Sequence, residues 1–426
     1  MEFQPPRGTR DFLPEDMIKR QYITDTIKGV FEKWGFDPLE TPAFEDWGLL
    51  SAKGGQDIKN EIYYFKDKSD RELGLRFDFT VPFARILGSN PSLVKPFRRY
   101  QIGPVWRYDR PGSGRYREFW QADIDIAGAS TGESDALCIA AACDAMKSLG
   151  FTEFFVRVNN RKIIEAFLIS VGLKEKVIDV MRSIDKLEKI GEKKVSDELN
   201  EKKIESQKIK KILEFIKIKN LADAKKLVEG YVDGREGVKE LEVILDFIES
   251  LGFSEFVKFD ISLVRGLEYY TGPVFEINAG INVSVGGGGR YDNMIESFGG
   301  KPTPATGISV GIDRIVLAME EKKLFRAEKT KTKVYIAAVS ESCTNEIISL
   351  SRKFISSNIP TEFNTMRRNL RKELEYANVK GIPFVVVIGE NEVKSKKAKL
   401  RNMASGEEKE FSIENPESII KILGKN

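Results

Sequence analysis

Four arginines bracket a short polar loop. Arg107 and Arg110 precede Pro111-Gly112-Ser113-Gly114, and Arg115 and Arg117 follow it. The flanks, rich in Val105, Trp106, Tyr108, Phe119, Trp120, Ile124 and Ile126, have the β-branched and aromatic character of strands. A hairpin of this kind predicts that the guanidiniums gather over one surface. Such a cluster repels itself unless an anion joins it, and the planar fork of arginine suits phosphate oxygens. Acceptors follow in Gln121, Asp123 and Asp125. The two aspartates stand two apart, so on a strand they share a face. The stretch Phe97–Gly128 therefore offers a polyphosphate grip at its tip and carboxylates deeper in, for a substrate with a phosphate chain and a cationic or NH-rich group. The plainer alternative is a solvated loop with strand aspartates facing water.

Three further stretches carry groups of the right type. Asp78 and Thr80, in LRFDFTVPFAR, also stand two apart, and a carboxylate with a hydroxyl suits an ammonium group. Thr80 alternatively caps the helix opened by Pro82. Arg265 lies in DISLVRGLEYYTGPVFEI between apolar residues, where a charge is costly unless paired. An anionic substrate is one partner and Glu268 another, whereas Tyr269 and Tyr270 read by default as aromatic packing. Gly286 to Gly289 leave the backbone free to approach a ligand closely, and no GK[ST] follows to make a P-loop.

These residues need a scaffold. Ile23, Ile27, Val30, Phe31 and Trp34 recur at helical spacing up to Gly35. A second hairpin is expected around Lys68-Ser69-Asp70. Ser130 and Glu133 stand at capping-box spacing ahead of a helix to Gly150, and FFVRV reads as a strand. From about Gly172 to Leu251 the chain is dense in Lys and Glu with helical apolar spacing, as in Ile209, Ile212, Leu213 and Ile216. The run after Pro302-Thr303-Pro304 predicts a strand and then a helix containing Arg314. Beyond residue 330, VYIAAV, TEFNT and IPFVVVIGE alternate with helical runs, a βαβαβ pattern with a small parallel or mixed sheet.

The 426 residues contain no histidine. This excludes Ser-His-Asp and Cys-His mechanisms. Three scattered cysteines give neither a zinc ligand set nor a disulfide framework, so no metal is expected on protein His or Cys ligands. The cysteine usage fits a reducing cytoplasm, and no apolar run predicts a membrane span. From Lys329 onward, 18 Lys and Arg face 12 Glu and no Asp, a net of +6 within a chain of net +3. That end is expected to meet an anionic partner.

VWRYDRPGSGRYREF resembles motif 2 of the class II aminoacyl-tRNA synthetases, and QADIDIAG resembles the archaeal and eukaryotic form of the histidyl enzyme. LVRGLEYY matches a motif of histidyl-tRNA synthetases in particular, PLETPAF with Pro42 resembles motif 1, and ATGISVGIDRIVLAMEE resembles motif 3. The resemblance implies an α+β catalytic core on an antiparallel sheet (1–171 and 252–325), a helical insertion (172–251) and a C-terminal α/β anticodon-binding domain (330–426). It implies a cytoplasmic homodimer that joins L-histidine to ATP and passes it to tRNA(His), with Mg2+ carried on the ATP phosphates. It places ATP against Arg107, Asp109, Arg115, Tyr116 and Arg314. It places histidine against Asp78, Thr80, Gln121, Asp125, Arg265, Glu268, Tyr269, Tyr270, Gly287 and Gly288, with Arg265 and Arg107 on the reacting phosphate. The alternatives are a non-catalytic regulatory subunit of ATP phosphoribosyltransferase built on the same core, and a synthetase for another amino acid.

Overall fold

The computed structural model describes residues 3–52, 60–110, 112, 114–265, 269–325, 328–366 and 368–424. Contacts divide the chain into two compact units. One joins the N-terminal piece ending at Arg10 to Tyr22–Leu324, and the other joins Asp11–Gln21 to the chain from Phe325 onward.

In the first unit the strands run β1 (Asp37–Pro38), β2 (Phe44–Asp46), β3 (Tyr64–Lys66), β4 (Glu72–Leu75), β5 (Phe97–Trp106), β6 (Glu118–Ala127), β7 (Phe155–Asn160), β8 (Val257–Phe259), β9 (Pro273–Asn278), β10 (Gly286–Arg290) and β11 (Ala305–Gly311). Eight of them form one sheet in the order β1-β5-β6-β11-β10-β9-β7-β8. Neighbours are antiparallel except the parallel pairs β1–β5 and β7–β8. β2, β4 and β3 form the second hairpin and its partner strand.

Strand alternation gives this sheet two unlike faces. Ile124 and Ile126 of β6, Ile308 and Val310 of β11, Phe275 and Ile277 of β9, and Val156 and Val158 of β7 are buried on one of them. Helices Gly132–Ser148 and Val232–Ser250 lie against that face. The first helix reaches it closely because Ala140, Ala141 and Ala142 are small. Each Ile or Val buried there stabilises the unit by about 1.5–3 kcal/mol relative to exposure. The opposite face carries a row of directly paired residues, Arg157–Glu276–Gly287–Ser309–Asp123–Gln101, running across β7, β9, β10, β11, β6 and β5. A parallel row pairs Gly289, Gly307, Asp125 and Arg99. The glycines leave space there, and the polar side chains line it.

Two helix starts differ from expectation. The N-cap of helix Gly132–Ser148 is Thr131, one residue later than Ser130, the extended residue at φ −94, ψ 151, and its side chain makes no capping bond. Thr80 begins helix Thr80–Ser89 from inside, and Asp78 supplies the cap by accepting from Val81 N at 3.1 Å. Between Val177 and Ser250 five helices fold as part of the first unit. Phe215 of this segment stacks on Phe167 at 3.8 Å between ring centres. Gly237 lets the last of the five helices approach Lys162 and Ile163.

The second unit has a mixed sheet in the order β13-β12-β14-β15-β16: β12 (Val334–Ala338), β13 (Thr361–Phe363), β14 (Phe384–Ile388), β15 (Lys397–Asn402) and β16 (Glu408–Ser412). β12 pairs parallel with β13 and β14, as the alternating pattern predicts. The antiparallel pair β15–β16 was not anticipated. Its buried face is thin, with Ala398, Leu400 and Phe411, and its outer face consists of cross-strand pairs such as Lys397–Glu410 at 2.8 Å and Lys399–Glu408 at 3.3 Å. Its lysines and glutamates, weak strand formers, hide the alternation in the sequence.

Candidate active site

A cleft of about 180 Å³ opens on the polar, glycine-bearing face of the first sheet. Its floor is built by register. Gln121, Asp123 and Asp125 of β6 stand opposite Gly311, Ser309 and Gly307 of β11. Gln121 Nε2 donates to Ser309 Oγ at 2.9 Å. Asp125 is engaged twice. Its Oδ2 lies 2.6 Å from Arg99 Nη2, and its Oδ1 accepts from the Tyr291 hydroxyl. Gly307 is required there, since a Cβ would overlap Asp125 Oδ1. Asp123 keeps its Oδ1 buried without a hydrogen-bond partner. Burial pushes the Asp123 carboxyl up to about 7, against the pull of Arg99. Burial also raises Asp125 and Asp78, with Arg99 and Arg107 respectively opposing it.

Four arginines line the same cleft. Arg107 donates through Nε to Phe77 O at 2.9 Å. Arg115 Nε lies 3.5 Å from Asp109 Oδ2. Arg314, on helix Ile312–Glu321, donates to Ser284 O at 2.8 Å. Arg265 reaches the same cleft from the loop after β8. Burial lowers the pKa of Arg314, and the charges of Arg115, Arg107 and Arg265 lower it further. Four guanidiniums that repel one another in one cleft form a site for a multiply charged anion. Only two of the four hairpin arginines belong to it. Arg117 turns away, over the Tyr108 ring at 3.8 Å and onto Asp109 O and Arg7 O, and Arg110 does not line the cleft.

Arg265 has an unusual backbone, with φ +40 in the left-handed region. Its Nη1 donates to Phe275 O at 3.3 Å and lies 3.7 Å from Glu276 Oε2, while its Nε is buried without a partner. The guanidinium lies across Gly287, where a Cβ would overlap Nη1 and stand 2.7 Å from Phe275 O. Gly287→Ala should therefore lower stability by about 1–3 kcal/mol through overpacking and displace Arg265. A urea unfolding curve matching the wild type would refute this. Gly288 faces Gly307 O in the same way, on the opposite side of the strand. Tyr269 and Tyr270 pack with ring centres 4.7 Å apart, and both line the cleft. Thr80, Asp109 and Tyr116 line it too. Glu268 lies outside the described residues.

Residues 8–315 match the family model described as histidyl-tRNA synthetase, and 333–423 match the anticodon binding domain model. A histidine–tRNA ligase of Gloeobacter violaceus is 36% identical, covering 93% of this chain and 94% of its own length. One from Thermococcus kodakarensis is 36% identical, covering 98% of each. The chain belongs to the histidyl-tRNA synthetase family. A crystal structure of histidyl-tRNA synthetase from a Nostoc species superposes on this synthetase with a TM-score of 0.87 at 29% identity, covering 100% of this chain and 99% of that one.

Sequence reasoning missed several residues around the synthetase cleft. Arg10 lies over the Tyr116 ring at 4.0 Å and pairs with Asp313 Oδ1 at 2.7 Å, and Asp313 Oδ2 accepts from Trp120 N at 2.9 Å. This ties the N-terminal piece to the base of the motif 3 helix. Arg10 belongs to a loop without periodicity, so no local pattern could have announced it. Arg99 was legible in principle, because it stands in register with Asp125 once the hairpin is drawn.

Proposed function

We propose that this cleft is where the chain activates histidine, with the phosphate chain of ATP on the arginines and the amino acid over the buried carboxylates. The chain is a histidine–tRNA ligase, an ATP-dependent aminoacyl-tRNA ligase. The observation that carries the placement is the make-up of the cleft: the guanidiniums of Arg107, Arg115, Arg265 and Arg314 line it together with the carboxylates of Asp78, Asp123 and Asp125. Arg107, Arg115 and Arg314, with Asp109 and Tyr116, hold ATP. Asp78, Thr80 and Gln121 take the ammonium group. Asp125, Glu268, Tyr269 and Tyr270, over Gly287 and Gly288, take the imidazole and its flank. Arg265 and Arg107 hold opposite sides of the α-phosphate.

The chemistry asks little of the protein by way of proton transfer. The histidine carboxylate is ionised at neutral pH. Its oxygen bonds to the α-phosphorus as the bond to the β-phosphate oxygen breaks, leaving histidyl-adenylate and pyrophosphate. The tRNA 3′-terminal hydroxyl then attacks the acyl carbon and releases AMP. Catalysis is positioning and charge neutralisation, which fits a chain without an imidazole of its own. Among the described residues no group of three or more acidic or cysteine side chains could hold a metal ion. We take magnesium to arrive on the nucleotide phosphates. No described helix is long and apolar enough to cross a membrane. We infer a cytoplasmic homodimer acting on tRNA(His). Its catalytic core is divided into 1–171 and 252–325 around a helical insertion at 172–251, with an anticodon-reading domain at 330–426.

Among the standard amino acids, only L-histidine should support rapid ATP–pyrophosphate exchange. A site that hydrogen-bonds a ring NH can reject analogues lacking it by factors on the order of 10⁴. Strong exchange with threonine or glycine, or none with histidine, would reject the placement. Removing the chain after Lys329 should spare exchange, because every group assigned to ATP and histidine precedes it. Charging of tRNA should fall through a raised, salt-sensitive KM. A folded truncation that charges tRNA at the wild-type rate would show that the basic domain does not read the anticodon.

A further inference from the structure

Glu276 sits between two guanidiniums. One of its oxygens accepts from Arg157 Nη2, and the other stands 3.7 Å from Arg265 Nη1, beyond hydrogen-bond reach. The placement follows from the sheet. Arg157, Glu276 and Gly287 are directly paired across β7, β9 and β10, and Arg265 lies over Gly287. Arg157 is itself anchored, through Nη1, by Glu188 at the start of helix Leu187–Glu201 and by Asp260 at 3.2 Å. Its side chain is 12% exposed and that of Glu276 19%, so solvent screens the group only in part.

Carboxylate and guanidinium this close ordinarily form a two-pronged, charge-assisted pair. Such a pair would consume the Arg265 donors. Among the described residues Arg265 instead has one 3.3 Å bond, to the Phe275 carbonyl, and a buried Nε without a partner. We propose that Arg157 is a positioning residue that holds Glu276 away from Arg265 and so keeps the Arg265 guanidinium available to the anionic substrate. The inference rests on the assignment of Arg265 to the reacting phosphate and adds a reason for a second arginine 108 positions upstream in the sequence. The three carboxylates around Arg157 make this an anchored group that does not reach the cleft lining.

The test is histidine-dependent exchange, per folded protein, in Arg157→Met, Glu276→Gln, the double variant and Arg265→Ala. In Arg157→Met the released Glu276 closes on Arg265, and kcat/KM for ATP should fall roughly tenfold or more, the scale of one charge-assisted hydrogen bond. Glu276→Gln should stay within about threefold of wild type, because an amide makes no ion pair with the guanidinium. The double variant should recover to the level of Glu276→Gln, a suppression that a purely structural role for Arg157 would not produce. If Arg157→Met does not fold, Arg157→Gln, which likewise lacks the cation, gives the same comparison with and without Glu276→Gln. A double variant as slow as the Arg157 single variant, or a single variant at wild-type rate, overturns the proposal. If Arg265→Ala itself turns over normally, the assignment of Arg265 fails. A slow Arg265→Ala beside an unsuppressed Arg157 variant defeats the role of Arg157 alone.

Discussion

Arg265→Ala should lower kcat for histidine-dependent exchange by roughly 10²–10³, the scale of losing one preorganised donor. Negative charge grows on the α-phosphate as the carboxylate attacks. Arg107, just past the end of β5, and Arg265, from the loop before β9, both line the cleft, and the proposed placement sets them on opposite sides of that phosphate. A guanidinium already in place needs no reorganisation during the step. The backbone at φ +40 is one that a non-glycine residue keeps only where its surroundings impose it, at a cost of order 1–3 kcal/mol. Arg265 has little structural return to set against that: a 3.3 Å bond to a carbonyl and a 3.7 Å contact to Glu276. The variant should therefore melt near the wild type. Arg265→Lys should also be slow, since an ammonium cannot span phosphate and carboxylate with a planar fork. The competing view is that Arg265 pins its loop through an ion pair with Glu268 or Glu276. On that view Arg265→Ala loses stability and the surviving folded enzyme turns over normally. Turnover per active site, measured beside a thermal melt, decides between them; a stable variant with near-normal kcat removes Arg265 from the mechanism.

The second large effect is on stability. Arg99 is wholly buried, 2.6 Å from Asp125, with its guanidinium over the Phe83 ring at 4.7 Å and a 3.2 Å bond to Phe79 O. Arg99→Leu leaves Asp125 buried without its cation, a change that typically costs about 3–5 kcal/mol. The deficit should depend on pH in a definite direction. Asp123 titrates at about 7 in the folded chain, above its ordinary 3.8, with Arg99 holding it down. Losing Arg99 raises Asp123 and Asp125 further. Groups whose folded pKa lies above the unfolded value penalise folding once pH exceeds the unfolded value, and the penalty grows until the folded pKa is passed. Arg99→Leu should thus be weakened more at pH 8 than at pH 5, and Asp125→Asn in the same chain should restore part of the loss. Equal deficits at the two pH values in urea titrations would contradict this account.

Much of the site was visible in one dimension because it is written in strand alternation. Asp123 and Asp125 had to share a face, and Gln121 with them, and register then placed Ser309 and Gly307 opposite. What alternation could not convey was how each carboxylate is engaged. Asp125 pairs with Arg99 and accepts from Tyr291, and Oδ2 of Asp125 and Oδ1 of Asp123 are both buried without a hydrogen-bond partner. That engagement depends on partners 26 and 166 residues from Asp125. The direction of Arg117 was equally illegible, because a loop of glycine and proline has no fixed period. Arg10 and Arg157 escaped notice because their partners lie far along the chain: Asp313 for one, and Glu188, Asp260 and Glu276 for the other.

β10 contains four glycines and one arginine, and this bears on how the sheet finds its alignment. A strand without side chains has nothing to distinguish its correct pairing from one shifted along its neighbours. The choice passes to its ends. Val285 is wholly buried before it, and Arg290 closes it with bonds to Asp135 and to the carbonyls of Ala129 and Thr131. Arg290 is thus the pin of the strand. If it is cut, the five-residue strand should slide or fray before the rest of the sheet, and its amides should exchange with solvent while those of β6 stay protected. The smooth floor that admits a substrate leaves the strand's alignment to the residues at its two ends.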